Sequence, residues 1–319
     1  RLRYLFYGDE RRILPLLRQH SGLSIVSEIR HTDKIIGNDD KPSAALRGGK
    51  DSSMRLAIDA VRTGEAGSVV SAGNTGALMA TAKMVLKCLP GISRPAIASV
   101  LPTQEGSVVM LDLGANITCD AEILVQFAVL GAVYARVFRN IDRPNVGLLN
   151  VGEEAMKGPE QVRAAATILS SVEFPGRYIG FVEGDDITAG AADVVVTDGF
   201  TGNIALKVAE GVGKMTASFI RQSFKSSLLA QIGYLFARGA LGGLRQKMDP
   251  RYYNGGMFLG LNGICVKSHG GMDEIGFSRA ILVAANLVRE GYNQRVAHEI
   301  EQLMDQESFI SAAQQLANS

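Results

Sequence analysis

Short apolar runs rich in β-branched residues alternate along this chain with longer stretches whose apolar residues recur every three or four positions. The first pattern predicts strands buried on both faces, the second predicts helices. Residues 194–215 (VVVTDGFTGNIALKVAEGVGKM) carry both. A valine run at 194–196 predicts a strand, and helical spacing begins at Ile204. Between them lie Asp198, Gly199, Thr201, Gly202 and Asn203. Glycines at such a junction let the backbone approach a ligand closely, and the free N–H groups of a helix start favour an anion. A capped tight turn gives the same pattern.

The unit recurs. Residues 68–89 predict a strand at 68–71, a loop Gly73-Asn74-Thr75-Gly76 and a helix from Ala77. Residues 107–138 predict a strand at 108–113, a loop at 114–116 and a helix apolar almost all round, hence buried in the core or a subunit interface. A strand at 146–151 leads into a loop at 152–158 bearing Glu153, Glu154 and Lys157, with Pro159 in the first turn of the next helix. Another strand ends at Glu183, Asp185 and Asp186, and a last one, 264–267, precedes Ser268, His269, Gly270 and Gly271. Strands alternating with helices imply a mostly parallel sheet covered on both faces, with the loops gathered along its carboxyl edge.

At its start the chain predicts a strand with Leu2, Tyr4 and Phe6 on one side, a helix over 10–20, a strand near 24–29, a loop over 37–51 and a helix capped by Ser52 or Ser53. A domain that opens on a core strand leads to the expectation of an earlier element. Residues 216–250 break the alternation. Leu228, Leu229, Ile232, Leu235 and Phe236 are bulky and apolar, with Arg221, Lys225, Arg238, Arg245 and Lys247 around them. A surface device meeting an anionic membrane or an acidic partner fits this composition, and so does a helix pair in a dimer interface.

At 319 residues and 46% hydrophobic content the chain can bury a sizeable core, as one large domain or two smaller ones. A net charge of +1 argues against a dedicated nucleic-acid binder. Cys88, Cys119 and Cys265 are odd in number and widely spaced, which suits a reducing compartment better than disulfides or zinc. No phosphate-binding G-x-x-x-x-G-K-[ST] loop, dinucleotide fingerprint, G-x-S-x-G elbow or H-E-x-x-H pair is present. Asp112, Glu153, Glu154, Asp185 and Asp198 offer carboxylates on loops, better suited by their spacing to capping helices or holding lysines than to a metal. Neither a metal nor a cofactor is expected.

SAGNTGALMA (71–80), LDLGAN (111–116), NVGEEAMKG (150–158), TDGFTGNIALK (197–207) and GLNGICVKSHG (260–270) closely resemble the motifs of PlsX-type phosphate acyltransferases, in order and over essentially the whole chain. Two departures stand out: the D-x-M-G-G-D-x-x-P motif that opens those proteins is not in this sequence, and RGGKDSS (47–53) is less basic than the family suggests. The resemblance implies a single three-layer αβα domain over 1–319, isocitrate/isopropylmalate dehydrogenase-like, with 216–250 as a protruding helical hairpin. It implies transfer of a long-chain acyl group from acyl-[acyl carrier protein] to inorganic phosphate. It also implies a cytoplasmic homodimer at the face of an anionic membrane, handing its product to a membrane glycerol-phosphate acyltransferase. Alternatives are a phosphotransacetylase-like enzyme acting on acyl-CoA, a decarboxylating dehydrogenase, and a non-catalytic membrane scaffold.

With that resemblance, Lys157, Asn203 and His269 are expected to be catalytic. Lys157 would offset phosphate charge or meet the oxyanion, Asn203 would donate from a helix start, and His269 would protonate the leaving thiolate. The simpler alternatives are an ion pair of Lys157 with Glu153 or Glu154 and a helix cap at Asn203. Ser71, Asn74, Thr75, Asp112, Asn116, Asp198, Thr201, Lys267 and Ser268 are expected to touch substrate. Leu228, Leu229, Ile232, Leu235, Phe236, Arg238, Arg245 and Lys247 are expected to meet the membrane or the carrier.

Overall fold

The computed structural model describes residues 2–247, 249, 251, 254–307 and 309. Elements follow in the order β1 (Tyr4–Gly8), α1 (Glu10–Leu17), α2 (Ser21–Ser24), β2 (Ser27–His31), α3 (Pro42–Gly48), α4 (Ser53–Arg62), β3 (Ser68–Ser71) and α5 (Thr75–Leu86). Then come β4 (Ala96–Thr103), β5 (Gly106–Leu111), α6 (Ala121–Arg139), β6 (Asn145–Leu149), α7 (Glu160–Ser171), β7 (Arg177–Val182), α8 (Gly184–Ala189) and β8 (Val194–Val196). The chain continues through α9 (Gly199–Lys225), α10 (Leu228–Lys247), β9 (Gly256–Leu259), β10 (Ile264–Lys267), α11 (Glu274–Arg289) and α12 (Tyr292–Met304). The result is a mixed α/β, three-layer fold around a mostly parallel sheet.

The main sheet has eight strands in the order β3-β10-β9-β4-β5-β8-β6-β7, and β1 and β2 form a separate parallel pair. β3 and β10 are parallel, as are β5, β8, β6 and β7 among themselves. Between these groups, β10–β9, β9–β4 and β4–β5 are all antiparallel. Three reversals leave the two parallel groups running in opposite directions. This corrects the expectation of a single carboxyl edge: the loops after β3 and β10 leave one edge, and those after β5, β8, β6 and β7 leave the other. The reversing strands β4 and β9 were not expected. β9 is four residues flanked by Gly255 and Gly260, and β4 carries Ser99 and Pro102, so neither shows a plain apolar run.

Other boundaries moved because side chains cap helices early. Asn74 and Asp198 accept the N–H groups of Ala77 and Thr201, which starts α5 at Thr75 and α9 at Gly199. Asn203 therefore stands in the second turn of α9 rather than at its start. Pro159 is the N-cap of α7, outside the first turn. The 37–51 stretch holds α3, begun at Pro42. The predicted 10–20 helix ends at Leu17, and the next strand begins only at Ser27.

Helix α6 is the centre of the core, with every residue from 123 to 135 buried. It lies so close to the sheet that a Cβ on Gly131 would stand 2.6 Å from Val194 Cγ1. The helix is long and apolar enough to cross a bilayer, but its burial explains that composition.

Candidate functional site

The edge that follows β5, β8 and β6 is built around Asp112. Its side chain is fully buried and accepts four hydrogen bonds: Ile97 N at 2.9 Å, Ala115 N at 3.1 Å, Asn116 N at 2.7 Å and Asn116 Nδ2 at 2.9 Å. Burial pushes this carboxyl above the usual carboxylate range, and the four donors pull it back. Asn116 spends its amide on Asp112 and on the Pro95 carbonyl. Asp112 and Asn116, both expected to touch substrate, are thus occupied in shaping the 112–116 turn. The first turn of α9 rests on that turn. A Cβ on Gly199 would come 2.6 Å from the Asn116 carbonyl, and one on Gly202 would overlap the Asp112 carbonyl. Glycine at both positions permits this approach.

On that platform Asn203 is exposed and lies over Gly114, where a Cβ would be 3.6 Å from the Asn203 Cβ. Asp198 caps α9, taking Thr201 N at 2.8 Å and Thr201 Oγ1 at 3.0 Å. Thr201 is exposed. Because β6 runs parallel to β8, the 152–158 loop leaves the same edge. Asn150 ties the loop down by donating to the Gly152 and Lys157 carbonyls. Lys157 lies across Gly152, half exposed, with Nζ 2.8 Å from Glu154 Oε2. That bond to Glu154 raises the lysine above its ordinary value, so it stays charged at neutral pH. The ion pair is made with Glu154, one of the two acids weighed for it.

The remaining expected residues stand on the other edge. Ser71 Oγ accepts Gly73 N at 3.2 Å, and Thr75 is exposed at the start of α5. Asn74 caps α5 and donates to the carbonyls of Gly37, Asn38 and Asp40, pinning the 37–40 loop. Lys267 Nζ reaches the Ala72 carbonyl at 3.4 Å and the Ser268 carbonyl, and burial lowers its pKa. Ser268 is fully buried and accepts from Asn254 Nδ2. His269 Nδ1 accepts Gly271 N at 3.1 Å. The structure does not bring His269 together with Lys157 and Asn203.

Asn150 and Asn254 had no assigned part. Both are buried asparagines beside strands, and each fixes a loop: Asn254 also donates to the Gly276 carbonyl and accepts His269 N. An amide in an apolar stretch was the available signal. A cavity of about 1700 Å³ opens between β1 and β3, with Ser71 and Gly73 in its wall and neither Lys157 nor Asn203 there.

The thiols offer poor nucleophiles. Burial pushes Cys119 up to about 12, and also raises Cys88 and Cys265. Beyond the sheet, α9 and α10 pack together, with Phe224 edge-on to Tyr234 at 5.4 Å. Leu228, Leu229, Ile232, Leu235 and Phe236 are exposed by 79, 81, 52, 61 and 87%. Arg238 is on α10, while the side chains of Arg245 and Lys247 lie outside the described residues.

Comparison with known proteins gives a consistent picture. The family described as Fatty acid synthesis protein matches residues 1–295. A protein of Rhodospirillum centenum named Phosphate acyltransferase is 59% identical over 300 residues, 94% of this chain and 84% of its own. One of the same name from Rhodospirillum rubrum is 53% identical over 312 residues, 98% of this chain and 89% of its own. Among solved structures, a phosphotransacetylase from Streptococcus pyogenes aligns with a TM-score of 0.57 at 18% identity, covering 90% of this chain and 94% of its own, and shows a shared fold.

Proposed function

Because the chain belongs to the fatty acid synthesis protein family of phosphate acyltransferases, and is an acyltransferase by that membership, we propose that it transfers a long-chain acyl group from acyl-[acyl carrier protein] to inorganic phosphate. The observation that carries the reading is that Lys157 and Asn203 are both exposed, on a loop and a helix that leave one sheet edge. Burial holds the chain's three thiols protonated, which suits a reaction whose nucleophile is phosphate itself.

A phosphate oxygen attacks the thioester carbonyl, the C–S bond breaks, and the proton of hydrogen phosphate ends on the carrier thiol. The products are acyl phosphate and free carrier. Lys157 offsets the phosphate charge, and the Asn203 amide donates to phosphate or to the developing oxyanion. One such donor contributes roughly 3–4 kcal/mol, and positioning contributes up to about 7–11 kcal/mol. A thiol of pKa about 8.5 leaves with little help. His269, with Ser71, Thr75 and Lys267 on the far edge, is assigned to contacts with the extended donor rather than to the reacting atoms.

We place the fold in the isocitrate/isopropylmalate dehydrogenase-like class and read residues 216–250 as a helical hairpin on a single 1–319 domain. Exposed Ile204, Val208, Val212, Met215 and Phe219 follow one face of α9. We assign that face to a second copy of the chain, and the apolar residues of α10 to an anionic membrane surface on the cytoplasmic side. Release of acyl phosphate there suits a downstream membrane glycerol-phosphate acyltransferase.

The test is release of free carrier from palmitoyl-carrier with and without inorganic phosphate, using metal-free full-length protein. Phosphate-dependent release is expected. Release only from acyl-CoA would replace the donor, and release from neither would point to a scaffold.

A further inference from the structure

We propose that a row of cations along α9 is the docking track for the acidic carrier protein, leading it to Asn203; this rests on the acyl-carrier reading above. Asn203, Lys207, Lys214, Arg221 and Lys225 are separated by four, seven, seven and four residues. At 3.6 residues per turn these spacings keep all five within about 20° of one line on the helix. All five are exposed. At about 1.5 Å per residue, Lys214 stands about 16 Å and Lys225 about 33 Å from Asn203 along the axis. The track thus begins at the residue placed against the reacting carbonyl and runs out along the helix.

Charge sets this face apart. From 199 to 247 the sequence holds seven basic residues and a single acid, Glu210, in a chain whose net charge is only +1. Glu210 pairs with Lys207 at 2.9 Å. Among the described residues, Lys214, Arg221 and Lys225 have no carboxylate within ion-pair distance. Unneutralised cations in a row raise the local potential and steer an acidic partner toward the surface in a fixed direction. The apolar stripe of α9 is centred about a third of a turn away, so a second copy on that stripe leaves the basic line open. Arg11, Arg12 and Arg18 on and after α1 form another basic cluster, but Arg11 is paired with Asp9 and the cluster leads to no site residue.

The test compares wild type with a Lys214→Glu, Arg221→Glu, Lys225→Glu variant, none of the three being in the reacting site. Turnover of palmitoyl-carrier and of a carrier-free palmitoyl thioester is measured across ionic strength. With the carrier, KM is expected to rise at least tenfold in the variant and to lose most of its salt dependence. With the carrier-free thioester, kcat and KM are expected to stay within twofold. Exchanging acids for lysines on the carrier should then restore much of the lost affinity. An unchanged KM for palmitoyl-carrier overturns the docking track, and so does an equal loss with both donors. If only binding to anionic vesicles weakens in the variant, the row is a membrane face and the proposal fails. A wild-type enzyme inactive on palmitoyl-carrier but active on the carrier-free thioester would instead overturn the carrier reading itself.

Discussion

The carboxylate of Asp112 accepts both the backbone N–H and the side-chain amide of Asn116, at 2.7 and 2.9 Å. Two further backbone N–H groups, from Ile97 and Ala115, complete its set. One buried side chain therefore joins the end of β5 to the start of β4 and the turn that carries α9. Asp112→Ala strands these donors, each at a penalty of about 1–3 kcal/mol where water cannot reach. A loss of roughly 3 kcal/mol or more is expected, lowering the melting temperature by about 5 °C for a chain of this size. Asp112→Asn keeps one acceptor oxygen and should fall between. A melting temperature unchanged in both variants, by calorimetry, would remove Asp112 from this structural part.

That part was only half legible in the sequence. LDLGAN announced a ligand-facing loop, yet Asp112 and Asn116 spend their polar atoms on the backbone and on each other. Motif chemistry cannot distinguish a side chain that holds a ligand from one that holds the loop. The alternation of strands and helices revealed the fold class, because buried parallel strands are short apolar runs. It did not reveal the direction of each strand. β4 and β9 reverse the sheet, and their mixed composition hid them, so residues 71–75 and 267–269 were placed beside Lys157 when they belong to the opposite edge. Helices begin two residues earlier at α5 and five earlier at α9 than their apolar spacing suggests, where Asn74 and Asp198 act as caps, since a capping side chain and a ligand-binding one use the same residue types.

Lys157 and Glu154 separate two readings of the 152–158 loop. If the lysine meets phosphate or the oxyanion, Lys157→Ala should lower kcat by about 100-fold or more, the range expected for losing one preorganised donor. Glu154→Gln would release the lysine and leave kcat within about threefold. Steady-state rates with palmitoyl-carrier check both. Only a few-fold loss in Lys157→Ala would reduce the residue to the ion pair at 2.8 Å.

Lys267 should register in the pH dependence of stability. Burial lowers its folded-state pKa below the ordinary value of 10.5. In that window the unfolded chain binds the proton more tightly, so this group makes folding more favourable as pH rises. The penalty for holding the charge is present below the folded pKa and disappears above the unfolded one. Lys267→Met removes the group and with it that rise. Denaturant midpoints at pH 8 and pH 10 should show the wild type gaining on the variant at the higher pH. A difference constant with pH would mean that Lys267 titrates as an ordinary exposed lysine.

Leu235 and Phe236 are the clearest probe of membrane contact. They are 61 and 87% exposed on α10, where Leu228, Leu229 and Ile232 extend the same apolar surface. A side chain of this kind contributes about 1.5–3 kcal/mol when fully buried. A glutamate in its place forfeits that gain and adds repulsion from anionic headgroups. Leu235→Glu with Phe236→Glu should therefore weaken binding to anionic vesicles by about 100-fold or more, since each 1.4 kcal/mol is a factor of ten. Turnover of a soluble donor should stay near the wild-type rate, because α10 lies beyond the Lys157–Asn203 edge. Flotation with vesicles of defined anionic content measures the first effect and a carrier-release assay without vesicles the second. Unchanged flotation would reassign this surface to packing against protein; a collapse of soluble turnover would show that α10 supports the reacting site.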